Sequence, residues 1–140
     1  MPIDKQIISR KITLINNDLK SLKVLSKLSL KTYLSKADYE ALAERYLERV
    51  IGRMIDINYH VLSEKENKIP TDFYNSFIAL GKKKYLPLKL AEVMANSAGL
   101  RNRLAHEYDE IDAKKVYEAI EFCLKDVPKY LKNIVKALNL

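Results

Sequence analysis

The sequence predicts an all-α protein built as a five-helix antiparallel bundle. Three observations carry that expectation. Only three glycines and four prolines punctuate 140 residues. No stretch alternates polar and apolar residues for the length of a strand, whereas apolar residues return at every third or fourth position. The helical stretches are joined by short polar connections, which fold consecutive helices back on one another.

The first helix is expected from about Asp4 to Ser29, where Ile8, Ile12, Ile15, Leu19 and Leu22 form one stripe. A second opens at Ser35, whose Ser-x-x-Asp spacing to Asp38 resembles a capping box, and persists to about Ser63. Its stripe runs through Tyr39, Leu42, Ala43, Tyr46, Leu47, Val50, Met54, Ile55, Val61 and Leu62. Glu64 to Pro70 reads as a loop, after which Thr71 or Asp72 caps a short third helix ending near Gly81. Lys82-Lys83-Lys84 makes the next turn basic. A fourth helix follows from about Leu86 to Tyr108, and Asp112 caps a fifth that runs to about Leu138 with an expected kink at Pro128.

Length and composition fit one domain spanning 1–140, with 48% hydrophobic and 31% charged residues and hence enough apolar surface for its own core. No apolar run approaches the roughly 20 residues of a membrane span. The opening residues lack a signal-peptide pattern. One cysteine, Cys123, has no partner for a disulfide or a structural zinc site. A cytoplasmic location without membrane association is expected. The net charge of +7 is uneven, since residues 1–36 carry eight Lys/Arg against Asp4 and Asp18. A basic first helix suits either RNA phosphates or ordinary solvation.

The fourth helix carries the chemistry. At about 100° per residue, Leu86, Leu90, Val93, Leu100 and Leu104 share one sector, the expected buried face. Ala91, Ala95, Ala98, Gly99, Asn102 and His106 share a roughly opposite one, too small in bulk for a core and too uncharged for plain solvent surface. A second copy of this helix, or an RNA strand, would cover it. The helix ends in Arg101-Asn102-Arg103-Leu104-Ala105-His106-Glu107-Tyr108. A permanently charged guanidinium and an imidazole that titrates near neutrality are the groups needed to cleave a phosphodiester without a metal. Asn102 and His106 stack at i,i+4, so the amide is placed to orient the ring. Arg101 points about 140° away from His106 on an ideal helix. A bland role for Arg101 is an ion pair with Asp56 or Glu48 on the second helix. Asp56 and His60 form an i,i+4 pair that is too small a set for a metal site, and Asp56 reads better as a partner for a motif residue. Tyr33, Tyr85 and Tyr130 are candidates for stacking bases, although most tyrosines are expected in the core.

The Arg-Asn-x3-His-x-Tyr arrangement at Arg101, Asn102, His106 and Tyr108 resembles the signature of the HEPN superfamily, in the form borne by its HepT-like ribonuclease toxins. Glu44 to Glu48 and Arg49, Ile55 to His60, and Ile69 to Phe77 are similar to further segments of that family. Arg103 departs from it, because an apolar residue is usual there. The resemblance implies a dimeric HEPN bundle with a nuclease centre at the dimer interface, needing no cofactor. It further implies a toxin–antitoxin partnership in which a nucleotidyltransferase antitoxin transfers AMP to Tyr108. Arg101 would stabilise the phosphorane, His106 would act as general acid–base and Asn102 would orient it, with Asp56 and Glu48 in support. The alternative is a non-catalytic HEPN module that binds nucleotide or docks a nucleotidyltransferase.

Overall fold

The computed structural model describes residues 3–106 and 111–140, and these contain helices and no strand. Seven helical segments occur among them: α1 (Lys5–Ser26), α2 (Leu30–Leu34), α3 (Ala37–Glu66), α4 (Phe73–Lys82), α5 (Leu88–Ala95), α6 (Ser97–His106) and α7 (Ala113–Leu138). The long helices α1, α3 and α7 pack on one another. The shorter α4, α5 and α6 close the bundle, with α6 seated against α3 and α4.

Several boundaries follow directly from short polar side chains. Asp4 accepts from the backbone N–H of Gln6 and Ile7, Asp72 from Asn75, and Asp112 from Lys114. The capping role expected of Ser35 is not seen. Ser29 caps the extra helix α2 by accepting from the Thr32 N–H, and α3 begins after Lys36 without a side-chain cap. The hydroxyl of Ser35 instead bonds the Thr32 carbonyl. Helix α7 runs unbroken through Pro128, which is exposed. The α4–α5 turn places Lys84 in the left-handed region at φ 67°, and the backbone N–H of Tyr85 and of Leu86 both return to the Leu80 carbonyl.

The apolar stripes of α1 and α3 lie largely inside, with Ile8, Ile15, Leu22, Leu47, Val50, Met54, Val61 and Leu62 fully buried, whereas Leu42, expected on the α3 stripe, is exposed near the start of the helix. Two polar clusters join the helices where an apolar pattern says nothing. Asp18 on α1 is buried beneath Arg53 and Arg49 of α3, at 2.7 and 3.1 Å. Tyr130 of α7 donates to Asn58 Oδ1 of α3, also approaching the Met54 carbonyl, while Asn58 Nδ2 donates to Ser76 Oγ of α4 at 3.0 Å. Burial pushes the Tyr130 phenol well above its ordinary range, so it stays a proton donor. Tyr130 and Tyr33 are both fully buried, which removes them as candidates for stacking bases. Tyr85 is half-buried and donates to Glu66.

The largest departure concerns the expected fourth helix. It breaks at Asn96 into α5 and α6. Ser97 is buried and its hydroxyl donates to the Met94 carbonyl at 2.6 Å, taking an acceptor from the helical ladder. The small-residue face is also turned inward: Ala91 and Ala95 are fully buried and Ala98 nearly so. On the opposite sector Leu86 and Leu104 are buried, Leu90 and Leu100 are half-buried, and Val93 is 40% exposed. The cause is Gly81. A Cβ built on it would lie 2.6 Å from Ala91 Cβ, so α5 approaches α4 more closely than side chains normally permit. Small residues therefore serve contact between α4 and α5 within the chain, and Ala91, Ala95 and Ala98 offer no open cleft.

Candidate functional site

Helix α6 is held at its inner side by Ala98 and Leu104, both buried, and by half-buried Leu100. That anchoring fixes where the remaining positions point. Gly99, Asn102 and His106 are exposed, and a Cβ on Gly99 would meet nothing within 4 Å. Asn102 and His106 fall one turn apart on this outer edge, as the i,i+4 spacing requires. No hydrogen bond joins their side chains among the described residues. Arg103 is exposed on the same end of the helix.

Arg101 leaves α6 in a different direction and is only partly exposed. Its guanidinium carbon stands 5.4 Å from the centroid of the Phe73 ring, the first residue of α4. Phe73 in turn meets Tyr59 of α3 edge-on, with centroids 6.0 Å apart. A cation over an aromatic face gains roughly 0.5–2 kcal/mol depending on desolvation. Arg101 is therefore held against an aromatic ring, and among the described residues no carboxylate is paired with it, which suits a phosphate-binding arginine.

The supporting carboxylates expected from the sequence lie elsewhere. Asp56 is exposed and pairs with Lys11 of α1 at 3.2 Å, because its position on α3 faces α1. Glu48 stands 3.8 Å from Arg45 on its own helix. Neither bonds Arg101. His60 uses Nε2 to accept the backbone N–H of Asp4 at 3.2 Å, so the Asp56–His60 pair borders the start of α1. Tyr108, the expected modification site, lies outside the described residues. Phe73 was not singled out by sequence reasoning. Its one available signal was position, an aromatic immediately after the Asp72 cap.

A family model described as "Ribonuclease HepT-like" matches residues 15–134. The chain belongs to the HepT-like ribonuclease family. Among its relatives, the tRNA nuclease HepT of Aphanizomenon flos-aquae is 43% identical over 133 residues, covering 94% of this chain and 90% of that protein. The mRNA nuclease HepT of Shewanella oneidensis is 26% identical over 91 residues, covering 65% of this chain and 68% of that one. In fold, the chain matches a tri-AMPylated Shewanella oneidensis HEPN toxin in complex with MNT antitoxin at a TM-score of 0.85, with 22% identity over 96% of this chain and 99% of that one. A toxin–antitoxin structure with AMP-PNP gives a TM-score of 0.84 at 22% identity, over 95% of this chain and 99% of that one. The HEPN bundle is thus the fold of this HepT-like chain, and ribonuclease is the class of chemistry its family carries.

Proposed function

We propose that this HepT-like chain is a metal-independent endoribonuclease and the toxin of a toxin–antitoxin pair. The observation that carries the reading is the placement of Arg101: an arginine set over the Phe73 ring, on the same short helix as an exposed Asn102 and His106. Attack by a ribose 2′-hydroxyl needs a cation at the phosphate, removal of a proton from the nucleophile and return of one to the leaving 5′-oxygen. Arg101 supplies the first through two donors in one plane. His106 supplies proton transfer, and Asn102 sets the orientation of its ring when RNA is bound. One imidazole performs one of the two transfers at a time, so a two-fold dimer that brings two α6 helices together provides both.

The named substrate of the 43% identical relative makes tRNA the first RNA to test. The partner is a nucleotidyltransferase antitoxin that adds AMP to Tyr108. Each addition brings negative charge and bulk to a protein that must bind RNA phosphates, which opposes RNA entry. Asp56 and Glu48 act in support only through the packing of α3 against α1 and α6, since their carboxylates are engaged on other cations.

Purified protein should cleave tRNA in the presence of EDTA and leave a 2′,3′-cyclic phosphate. His106→Ala should lower the rate roughly 10²–10⁴-fold at unchanged helicity. Arg101→Lys should also fail, because an ammonium does not reproduce the planar fork. A strict magnesium requirement, or a product ending in a 3′-hydroxyl, would refute the mechanism. Co-expression with the antitoxin should add AMP-sized masses to wild-type protein and none to Tyr108→Phe.

A further inference from the structure

Away from α6, three shallow grooves share lining residues and run end to end around the α4–α5 turn. The first follows the outer side of α4, from Thr71 and Asn75 to Lys82, with Lys68 on its far wall. The second begins at Lys82, includes Lys84 and reaches Asn133 of α7. The third continues from Asn133 and Pro87 to Lys89, Lys129 and Lys132. Six lysines line this path, and the carboxylate among the residues lining it is Asp126, which stands 3.7 Å from Lys129. Lys83, in the same turn, faces the other way toward Glu66 at 3.8 Å. From Asn75 to Lys82 it climbs about 10 Å along α4 at the rise of an α-helix, on a side of α4 roughly opposite the Phe73 side chain that meets Arg101.

We infer that this lysine path is a second RNA-binding surface, holding the phosphate backbone of substrate that extends beyond the cleavage site. The inference rests on the ribonuclease reading for the identity of the polyanion. Lysines without arginines are point charges on flexible stems, suited to phosphates in varied positions rather than to one bidentate geometry. Such contacts position nucleic acid without reading its sequence. A row of like charges on a folded surface carries a repulsive cost, which a bound polyanion relieves while releasing its counterions.

The test measures binding of fluorescently labelled tRNA to full-length His106→Ala protein across a salt series. That protein is then compared with one also carrying Lys82→Ala, Lys84→Asn and Lys132→Ala. Asparagine is chosen at Lys84 because it tolerates the left-handed backbone there. A control removes equal charge from α1 by Lys20→Ala and Lys23→Ala with Lys31→Ala on α2. The path variant should lower the slope of log Kd against log salt by about 3, one per lost phosphate contact, and the control should not. Equal losses in both variants, or none in either, would overturn the inference. So would a path variant that keeps its tRNA affinity but loses binding to poly-glutamate, which would mark a surface for an acidic protein. Failure of the wild-type protein to cleave RNA would count against the ribonuclease reading alone, because the binding comparison uses protein that does not cleave.

Discussion

The close approach of α4 and α5 makes a stability prediction whose sign is set by geometry. Replacing Gly81 by Ala puts a Cβ at 2.6 Å from Ala91 Cβ and 3.2 Å from Leu88 Cδ1. Carbon atoms rest at about 3.5–4.0 Å, so the first contact is short by roughly 1 Å. Both atoms in that contact are Cβ atoms, so no rotamer relieves it and the helices must separate. Overpacking of this kind costs about 1–3 kcal/mol, against a gain of up to about 1 kcal/mol from replacing a helical glycine. The expected net loss is therefore about 1–2 kcal/mol. Ala91→Gly removes the atom in the way, so the two changes together should couple favourably by about 1–3 kcal/mol. Gly99→Ala is the matched control, since its new methyl meets nothing within 4 Å and should stabilise by up to about 1 kcal/mol. Urea unfolding followed by far-UV circular dichroism, at one protein concentration throughout, measures wild type and the four variants. A Gly81→Ala protein as stable as wild type, or a double variant with no coupling, would refute the packing argument.

Gly99→Arg should fold at least as well as wild type yet sediment as a monomer and lose cleavage, if a second α6 covers the open edge bearing Gly99, Asn102 and His106; a stable dimer in sedimentation velocity would exclude that edge from the interface. Tyr130→Phe removes the donor to Asn58 Oδ1 and leaves a buried amide oxygen unpaired, which should cost about 1–3 kcal/mol in urea unfolding. Loss of less than half a kilocalorie there would mean that the network contributes little beyond packing.

The helical character, the single core and the stripes of α1 and α3 were legible because burial of a helix face repeats with the helical period. Asp112 was legible as a cap for the same local reason, and the cap of α4 was narrowed to Thr71 or Asp72, of which Asp72 serves, since a cap needs only its own side chain and the next turn. The break at Asn96 was not. It depends on Ser97 being buried where its hydroxyl reaches the Met94 carbonyl, and nearby sequence does not reveal which serines are buried. The direction of the alanine face failed for a related cause. A face of small residues says that something approaches closely, and the approaching surface was α4 at Gly81 rather than a second chain. In the site, the Arg101, Asn102 and His106 spacing was visible in the sequence, but the Phe73 brace joins residues far apart in the chain and carries no local pattern. Asp56 and Glu48 were misplaced as partners because knowing that two helices are neighbours does not say which side of α3 faces α6.

The five positions between Arg101 and His106 decide how a composite centre would be assembled. On α6 they diverge by about 140°. Arg101 is drawn toward α4 by Phe73, whereas His106 lies on the exposed outer edge. A phosphate gripped by Arg101 of one copy is then best served by the imidazole of the other, because a general acid–base must come within hydrogen-bond reach of the proton it moves. The prediction is intersubunit complementation. Arg101→Ala and His106→Ala proteins, each inactive alone, should regain cleavage when co-expressed and purified through two different tags. In the mixed dimer one centre has lost both groups and the other retains both. Activity should return well above that of either parent yet stay below half that of wild type per dimer, since one centre regains an arginine and an imidazole while the second imidazole, which serves the other proton transfer, is missing. If each centre instead draws both groups from its own chain, the mixed dimer holds two damaged centres and stays as inactive as its parents. A mixed dimer shown by its tags to have formed, yet without cleavage, would therefore refute the shared centre.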